Sequence, residues 1–185
     1  MNVLKHPFAL FLAISLCLIS CSKTDDDSLP EEEMMEMSEP PVENQQFSAK
    51  INGETFTPPN DFVTATVATE SEFYAIGIAA AGPTSSTTAK GIVLAMTGFN
   101  FDTLEAGMTW SLPTTESPLD GATAAFGQGN LETDEIQEIF VRLTNIDRVQ
   151  RTISGEFEFV ALDEETNRIY TVTDGLFRNV VYDLN

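Results

Sequence analysis

Histidine, cysteine and tryptophan are nearly missing from this chain: one His, two Cys and one Trp in 185 residues. His6, Cys17 and Cys21 all fall within the first 21 positions, so the body of the chain has neither imidazole nor thiol. A Ser-His-Asp triad, a Cys-His pair and a zinc site with nitrogen or sulfur ligands are therefore excluded there. Basic residues are also scarce, nine Lys and Arg against 29 Asp and Glu, for a formal net charge of −20. That balance argues against a nucleic-acid partner, because neutralising phosphates needs clustered Lys and Arg. No glycine-rich phosphate loop follows a strand and opens a helix, so nothing supports a nucleotide cofactor. Beyond residue 46 no helical period lasts three turns, while period-two runs recur.

What is present begins with a secretion signal over residues 1–20. Lys5 gives the positive start, and Phe8 to Ile19 form an apolar run broken only by Ser15. The run is shorter than the about 20 residues of a spanning helix and suits a signal-peptide core. It ends in Leu18-Ile19-Ser20-Cys21, which resembles the bacterial lipobox. An ordinary secretory signal with an incidental cysteine would not explain that spacing. The resemblance implies lipidation of Cys21 with three acyl chains. Two or more chains hold a protein stably on a membrane, at about 0.8 kcal/mol per buried CH₂. Cleavage before Cys21 removes Lys5 and His6 and leaves eight basic against 29 acidic residues, a mature charge of −21. No second cysteine then remains for a disulfide.

Residues 21–46 read as the lipidated cysteine and an acidic, disordered tether. Positions 22–46 hold nine acidic residues, three prolines and no aromatic, with Lys23 the one basic residue. Such a composition cannot bury enough apolar surface to offset the entropy of ordering. A turn of helix through Glu31–Met37 would be ended by Pro40-Pro41. The opening Ser22-Lys23-Thr24-Asp25-Asp26-Asp27 resembles the export signal of surface-displayed lipoproteins of Bacteroidota. A solvated spacer, or a loose cation site at Asp25–Asp27, is the plainer alternative. Asp27-Ser28-Leu29 and Asp102-Thr103-Leu104 resemble the O-glycosylation triplet of that phylum.

Residues 47–185 form one domain of ordinary size. Phe47–Ile51 alternates, Asn52-Gly53 is a strong hairpin signal, and Glu54–Thr57 returns. Phe62–Ala68, Phe73–Ala80, Gly91–Phe99, the Met108–Leu112 alternation and a weaker Ala122–Gly127 follow. Ile139, Val141 and Leu143 share one face, as do Phe157, Phe159 and Ala161. Ile169–Thr173 and Phe177–Tyr182 read as two last strands separated by Asp174-Gly175. Leu131–Phe140, with Thr133 as its cap, has a helical rival reading, but a loop entering a strand fits better. The expectation is an all-β fold, an antiparallel β-sandwich or partly closed barrel of about nine or ten short strands.

Three segments carry a family resemblance: Phe47-Ser48-Ala49-Lys50-Ile51-Asn52-Gly53, Ser154-Gly155-Glu156-Phe157-Glu158-Phe159, and Thr173-Asp174-Gly175-Leu176-Phe177. Together they resemble an uncharacterised family of β-rich Bacteroidota lipoproteins, a domain of unknown function. The resemblance implies a fold and no site residues. Gly53, Gly155 and Gly175 fall where a turn or bulge needs positive φ or room.

Candidate chemistry is thin. Asp102 with Glu105, and Glu156 with Glu158, are the carboxylate pairs a glycosidase would need. Yet Glu156 and Glu158 alternate with Phe157 and Phe159, which is the pattern of a solvent face. Lys50 and Lys90 are the domain's only lysines, and Lys90 near Ser85-Ser86-Thr87-Thr88 reads as a loop charge. Asp163-Glu164-Glu165-Thr166-Asn167 has oxygen ligands but neither the spacing nor the glycine of a calcium loop. Trp110 is the one candidate sugar platform, but it shares parity with Met108 and Leu112, which favours the core. Tyr74, Tyr170 and Tyr182 are left unassigned by parity.

No catalytic, cofactor-binding or metal residue is therefore assigned, and the one site residue is Cys21. The expected protein is an outer-membrane lipoprotein, displayed at the cell surface if the export signal operates. Its β-domain would be non-enzymatic and would bind an unidentified protein or glycan, with the membrane as its other partner. The alternatives are a carbohydrate-binding accessory lipoprotein and, less favoured, a carboxylate-dependent hydrolase.

Overall fold

Alternation of apolar and polar residues dictates strands with one buried face. The computed structural model describes residues 45–82, 89–129, 131–133 and 135–185. The expected signal segment, Cys21, nearly all of the expected tether and residues 85–88 lie outside them. Eleven strands follow in order: β1 Gln46–Ile51, β2 Glu54–Phe56, β3 Val63–Glu70, β4 Phe73–Gly82, β5 Lys90–Phe99, β6 Thr109–Trp110, β7 Gly121–Gln128, β8 Leu131–Glu132, β9 Glu135–Asp147, β10 Thr152–Asp163 and β11 Arg168–Leu184.

They form one sheet in the order β6-β9-β10-β11-β3-β4-β5-β7-β8, with the β1–β2 hairpin laid on β11. The sheet curls until its ends meet, where the Ala122 amide at the start of β7 donates to the Ser111 carbonyl just after β6 (2.7 Å). The expectation of an all-β fold holds, in its nearly closed barrel form. One pair departs from the antiparallel pattern: Tyr182–Leu184 of β11 runs parallel to Ala65–Val67 of β3.

The long β11 makes this possible. Its first part pairs with β1 on one edge and β10 on the other, and its last residues take up β3 where β1 leaves off. The two separate strands expected over 169–182 are thus one strand of 17 residues. Asp174 takes a left-handed φ of 51° inside it, so Asp174-Gly175 is a bulge and not a turn. Over 131–140 the expected loop is largely strand, β8 at Leu131–Glu132 and β9 from Glu135, and no helix forms. Thr133 caps no helix; its Oγ1 accepts from the Phe126 amide, and its own amide donates to the Phe126 carbonyl, both at 3.0 Å.

The inward faces pack a continuous core in which Phe47, Val67, Ile76, Ile92, Leu94, Met96, Phe126, Val141 and Phe177 are fully buried. Each such side chain contributes about 1.5–3 kcal/mol on leaving water. Phenylalanine dominates the centre, with Phe47, Phe159 and Phe177 ranged around Phe157 at ring separations of 5.3–6.4 Å.

The glycine and phenylalanine positions singled out in the sequence have a physical meaning here. Gly155 pairs across the ladder with Phe177, and Phe157 pairs with Gly175. Each ring lies over the opposite glycine: a Cβ on Gly155 would run into Phe177, and one on Gly175 into Phe157. The need at these two glycines is for room rather than positive φ, which of the three motif glycines Gly53 alone shows (84°). Tyr74 over Gly98 repeats the arrangement between β4 and β5.

The turns are equally local in origin. Asn52-Gly53, both at positive φ, close the two-residue hairpin that the sequence signals, with Ile51 opposite Glu54. The last two hairpins share one design, an aspartate that ends a strand and a left-handed residue four positions on: Asp147 with Arg151, and Asp163 with Asn167. Asp147 Oδ1 accepts from the amides of Val149 and Gln150 at 2.8 and 2.9 Å. Asp163 Oδ1 accepts from Glu165 and Thr166 at 3.0 and 3.1 Å, and its other oxygen takes the Thr166 hydroxyl.

Those bonds to Thr166, first from its hydroxyl and then its amide, hold the Asp163 carboxyl below the ordinary range. A depressed folded-state pKa adds stability above the unfolded value of about 3.9, and this is lost as pH falls through the folded value. Asp163→Asn keeps the acceptor but not the charge. Its thermal midpoint should lie below wild type at pH 6–7, with the gap closing below about pH 4. A gap independent of pH would contradict this assignment.

Candidate functional site

Because β4 and β5 run antiparallel with Phe73 opposite Phe99, the β3–β4 turn and the loop after β5 lie side by side at one barrel end. The Asn100 amide donates to the Glu72 carbonyl at 2.6 Å and joins them. Asn100 is left-handed (φ 61°), a conformation its short polar side chain tolerates. It starts a single 3-10 turn over Phe101–Thr103, tightened by the Thr103 hydroxyl donating to the Asn100 carbonyl at 2.8 Å. Phe101 turns inward and meets Tyr74 and Tyr182 edge-on, each at 6.1 Å.

Arg148, from the β9–β10 turn, holds this loop down. One guanidinium nitrogen donates to the carbonyls of Phe101, Asp102 and Leu104 at 2.9, 3.0 and 2.8 Å. Its carbon stands 5.6 Å above the Phe101 ring centroid. The ion pairs of the described residues lie elsewhere: Lys50–Asp174, Lys90–Glu54 and Arg142–Glu156. The guanidinium is thus held by neutral carbonyls rather than by a carboxylate.

Between these parts lies a cleft of about 500 Å³. Ser71, Glu72, Asn100, Asp102, Thr103 and Arg148 give it hydrogen-bonding groups, and Phe73, Phe101 and Tyr182 give it apolar walls. Burial pushes the Tyr182 hydroxyl upward, opposed by Arg148 and Arg151 and aided by Asp147. Tyr74, under Phe101, is raised mainly by burial, and a hydrogen bond with Trp110 works against that shift. Both phenols therefore stay protonated at neutral pH. Chemically the cleft offers donors and acceptors of both signs beside an aromatic wall, which suits a polar ligand with several hydroxyl or carbonyl groups.

Of the residues singled out by sequence, Asp102 and Thr103 line this cleft, while Glu105 does not. Glu156 is paired with Arg142 at 2.8 Å on the outer wall. Glu158 borders a separate shallow groove there with Glu138 and Phe140. Lys50 and Lys90 are held in ion pairs at 2.9 and 3.1 Å. Asp163 uses its oxygens on its own loop, and no metal-holding group of His, Cys, Asp or Glu occurs among the described residues. Trp110 is 4% exposed, so its indole is core and presents no sugar platform. Tyr74, Tyr170 and Tyr182 are buried as well. Asn100, Ser71 and Arg148 went unnoticed in the sequence. Phe99-Asn100-Phe101 was the one available signal, an Asn between aromatics at a strand end.

No protein-family model matches the chain, and neither a curated protein nor a solved structure matches it.

Proposed function

We propose that this chain is a lipid-anchored envelope protein whose β-barrel is a non-enzymatic binding domain with its ligand site in the rim cleft. The observation that carries the binding reading is the Arg148-held loop. It fixes Asn100, Asp102 and Thr103 at the mouth of a cleft in the size range of small-ligand sites. Anchoring rests on Leu18-Ile19-Ser20-Cys21, and the likeness to β-rich Bacteroidota lipoproteins belongs to the same reading. Lipid at Cys21 would secure the chain to the outer membrane, and the acidic tether would carry the barrel away from it.

A glycan is the ligand class this reading prefers, since paired amide, carboxylate and guanidinium groups recognise neighbouring hydroxyls. With Trp110 buried, the recognition would rest on hydrogen bonds rather than on stacking. A photo-crosslinker at Asp102, in cells making the full chain, should trap a glycan or protein that the same probe at Thr55 does not. Equal trapping at both positions, or none at Asp102, would remove the cleft from the account.

A further inference from the structure

The barrel wall is unevenly joined. Eight or more residue pairs register across each of the β9–β10, β10–β11, β3–β4, β4–β5 and β5–β7 junctions. The β11–β3 junction is short, but β1 takes up the rest of that edge of β11. The segment around β6 has no such backing. Only Thr109 and Trp110 register with β9, opposite Arg142 and Val141. Two further bonds join the Leu143 amide to the Met108 carbonyl at 2.9 Å and the Gly107 amide to the Leu143 carbonyl at 2.8 Å. Towards β7, the backbone bond among the described residues is the one from the Ala122 amide to the Ser111 carbonyl. Among those residues no ladder joins β7 directly to β9, so Gly107–Ser111 spans a line that is otherwise unpaired.

Side chains give this span one deep fastener. Thr109 and Ser111 face solvent, as do residues 113–120 beyond them. Met108 and Leu112 are partly buried against the core, and Trp110 between them is 4% exposed. Its indole N–H, a donor only, bonds the Tyr74 hydroxyl. Tyr74 also meets Phe101 of the cleft wall edge-on, so the fastener and the cleft loop rest on one ring. Gly107, where the span begins, has a φ of 98°, and a Cβ there would meet nothing within 4 Å. The chain can turn at that point without a clash.

We propose that Gly107–Ser111 is a strap that detaches as a unit, with Trp110 as its latch, while the rest of the sheet stays folded. Local opening follows local bonding and burial. The strap has two registered pairs on one edge and one bond on the other, whereas β9 and β7 beside it are each held by eight or more pairs on their far edges. The phenylalanine cluster around Phe157 has no member in the strap, so that packing survives its release. Opening unseals the barrel side next to the cleft loop and brings the chain's single tryptophan to water.

The test is hydrogen exchange of the full chain in mild detergent, read residue by residue by fragmentation mass spectrometry. The amides of Gly107, Ala122 and Leu143, which strap release frees, should exchange about 100-fold faster than the paired amides of β10. Low urea should accelerate them less steeply, because less surface is exposed. Tyr74→Phe removes the acceptor of the indole N–H. It should raise exchange at these three amides about tenfold, open Trp110 to acrylamide quenching and leave β10 unchanged. Thr109→Cys with Arg142→Cys, an outward-facing registered pair, gives the converse: its disulfide should slow Gly107 and Leu143 about tenfold, and reduction should restore them. Strap amides that exchange at the rate of β10 with the same urea dependence would overturn the inference. So would a disulfide without effect, or a folded Tyr74→Phe chain with unaltered strap exchange. The parent and disulfide measurements decide the matter even where Tyr74→Phe does not fold.

Discussion

Gly155→Val leaves no folded barrel, and Gly155→Ala is destabilised by about 3 kcal/mol or more, a large part of a typical domain's stability. A Cβ at this position would overlap the Phe177 ring and lie 2.5 Å from the Arg142 carbonyl oxygen. The ring could shift, but the carbonyl belongs to the β9–β10 ladder and cannot move without breaking it. Gly175→Ala meets the same obstacle, since its Cβ would overlap the Phe157 carbonyl and come within 2.6 Å of the Phe157 ring. Replacing the ring should therefore restore only part of the loss: Phe177→Leu combined with Gly155→Ala should stay well below wild type. Urea denaturation of the set, with exposed Glu156→Ala as control, reads the effect. A Gly155→Ala midpoint equal to that of Glu156→Ala would contradict the ring-over-glycine packing.

The same residues show what the sequence could and could not reveal. Alternation located most strands because each has one buried face, and Asn52-Gly53 announced its hairpin because positive φ at both positions favours those residues. Asp174-Gly175 misled for a related reason. The pair signals a turn when taken alone, yet the Phe157 ring over Gly175 keeps the strand going through a bulge. Alternation left a sandwich and a partly closed barrel both open, because the segments that meet at closure, around Ser111 and Ala122, have weak patterns of their own. The parallel β3–β11 pair was hidden likewise, being set by where β1 ends along β11. In the cleft, Asp102 was visible as one of two carboxylates. Its neighbours Ser71 and Arg148 come from distant turns that only the barrel brings together.

Cys21→Ala moves the protein from the membrane to the soluble fraction, and on the proposed reading the change is nearly complete. Each acyl methylene contributes about 0.8 kcal/mol, so three chains make dissociation negligible, whereas one chain would be only marginal. The charge of −21 that cleavage before Cys21 would leave is repelled by an anionic bilayer surface, so on this reading electrostatic adhesion does not stand in for the anchor. Carbonate-washed membranes should retain the parent chain and release the variant, while the barrel of each melts alike. Equal retention of the two would show that attachment comes from elsewhere.

The anchoring claim, on which localisation and the tether's role depend, is tested most directly by the mass of the amino-terminal peptide from the mature protein in its own cells. The account predicts a peptide that begins at Cys21 and carries fatty acyl groups, labelled when palmitate is supplied. A peptide that retains residues 1–20, or one with an unmodified cysteine, would contradict it.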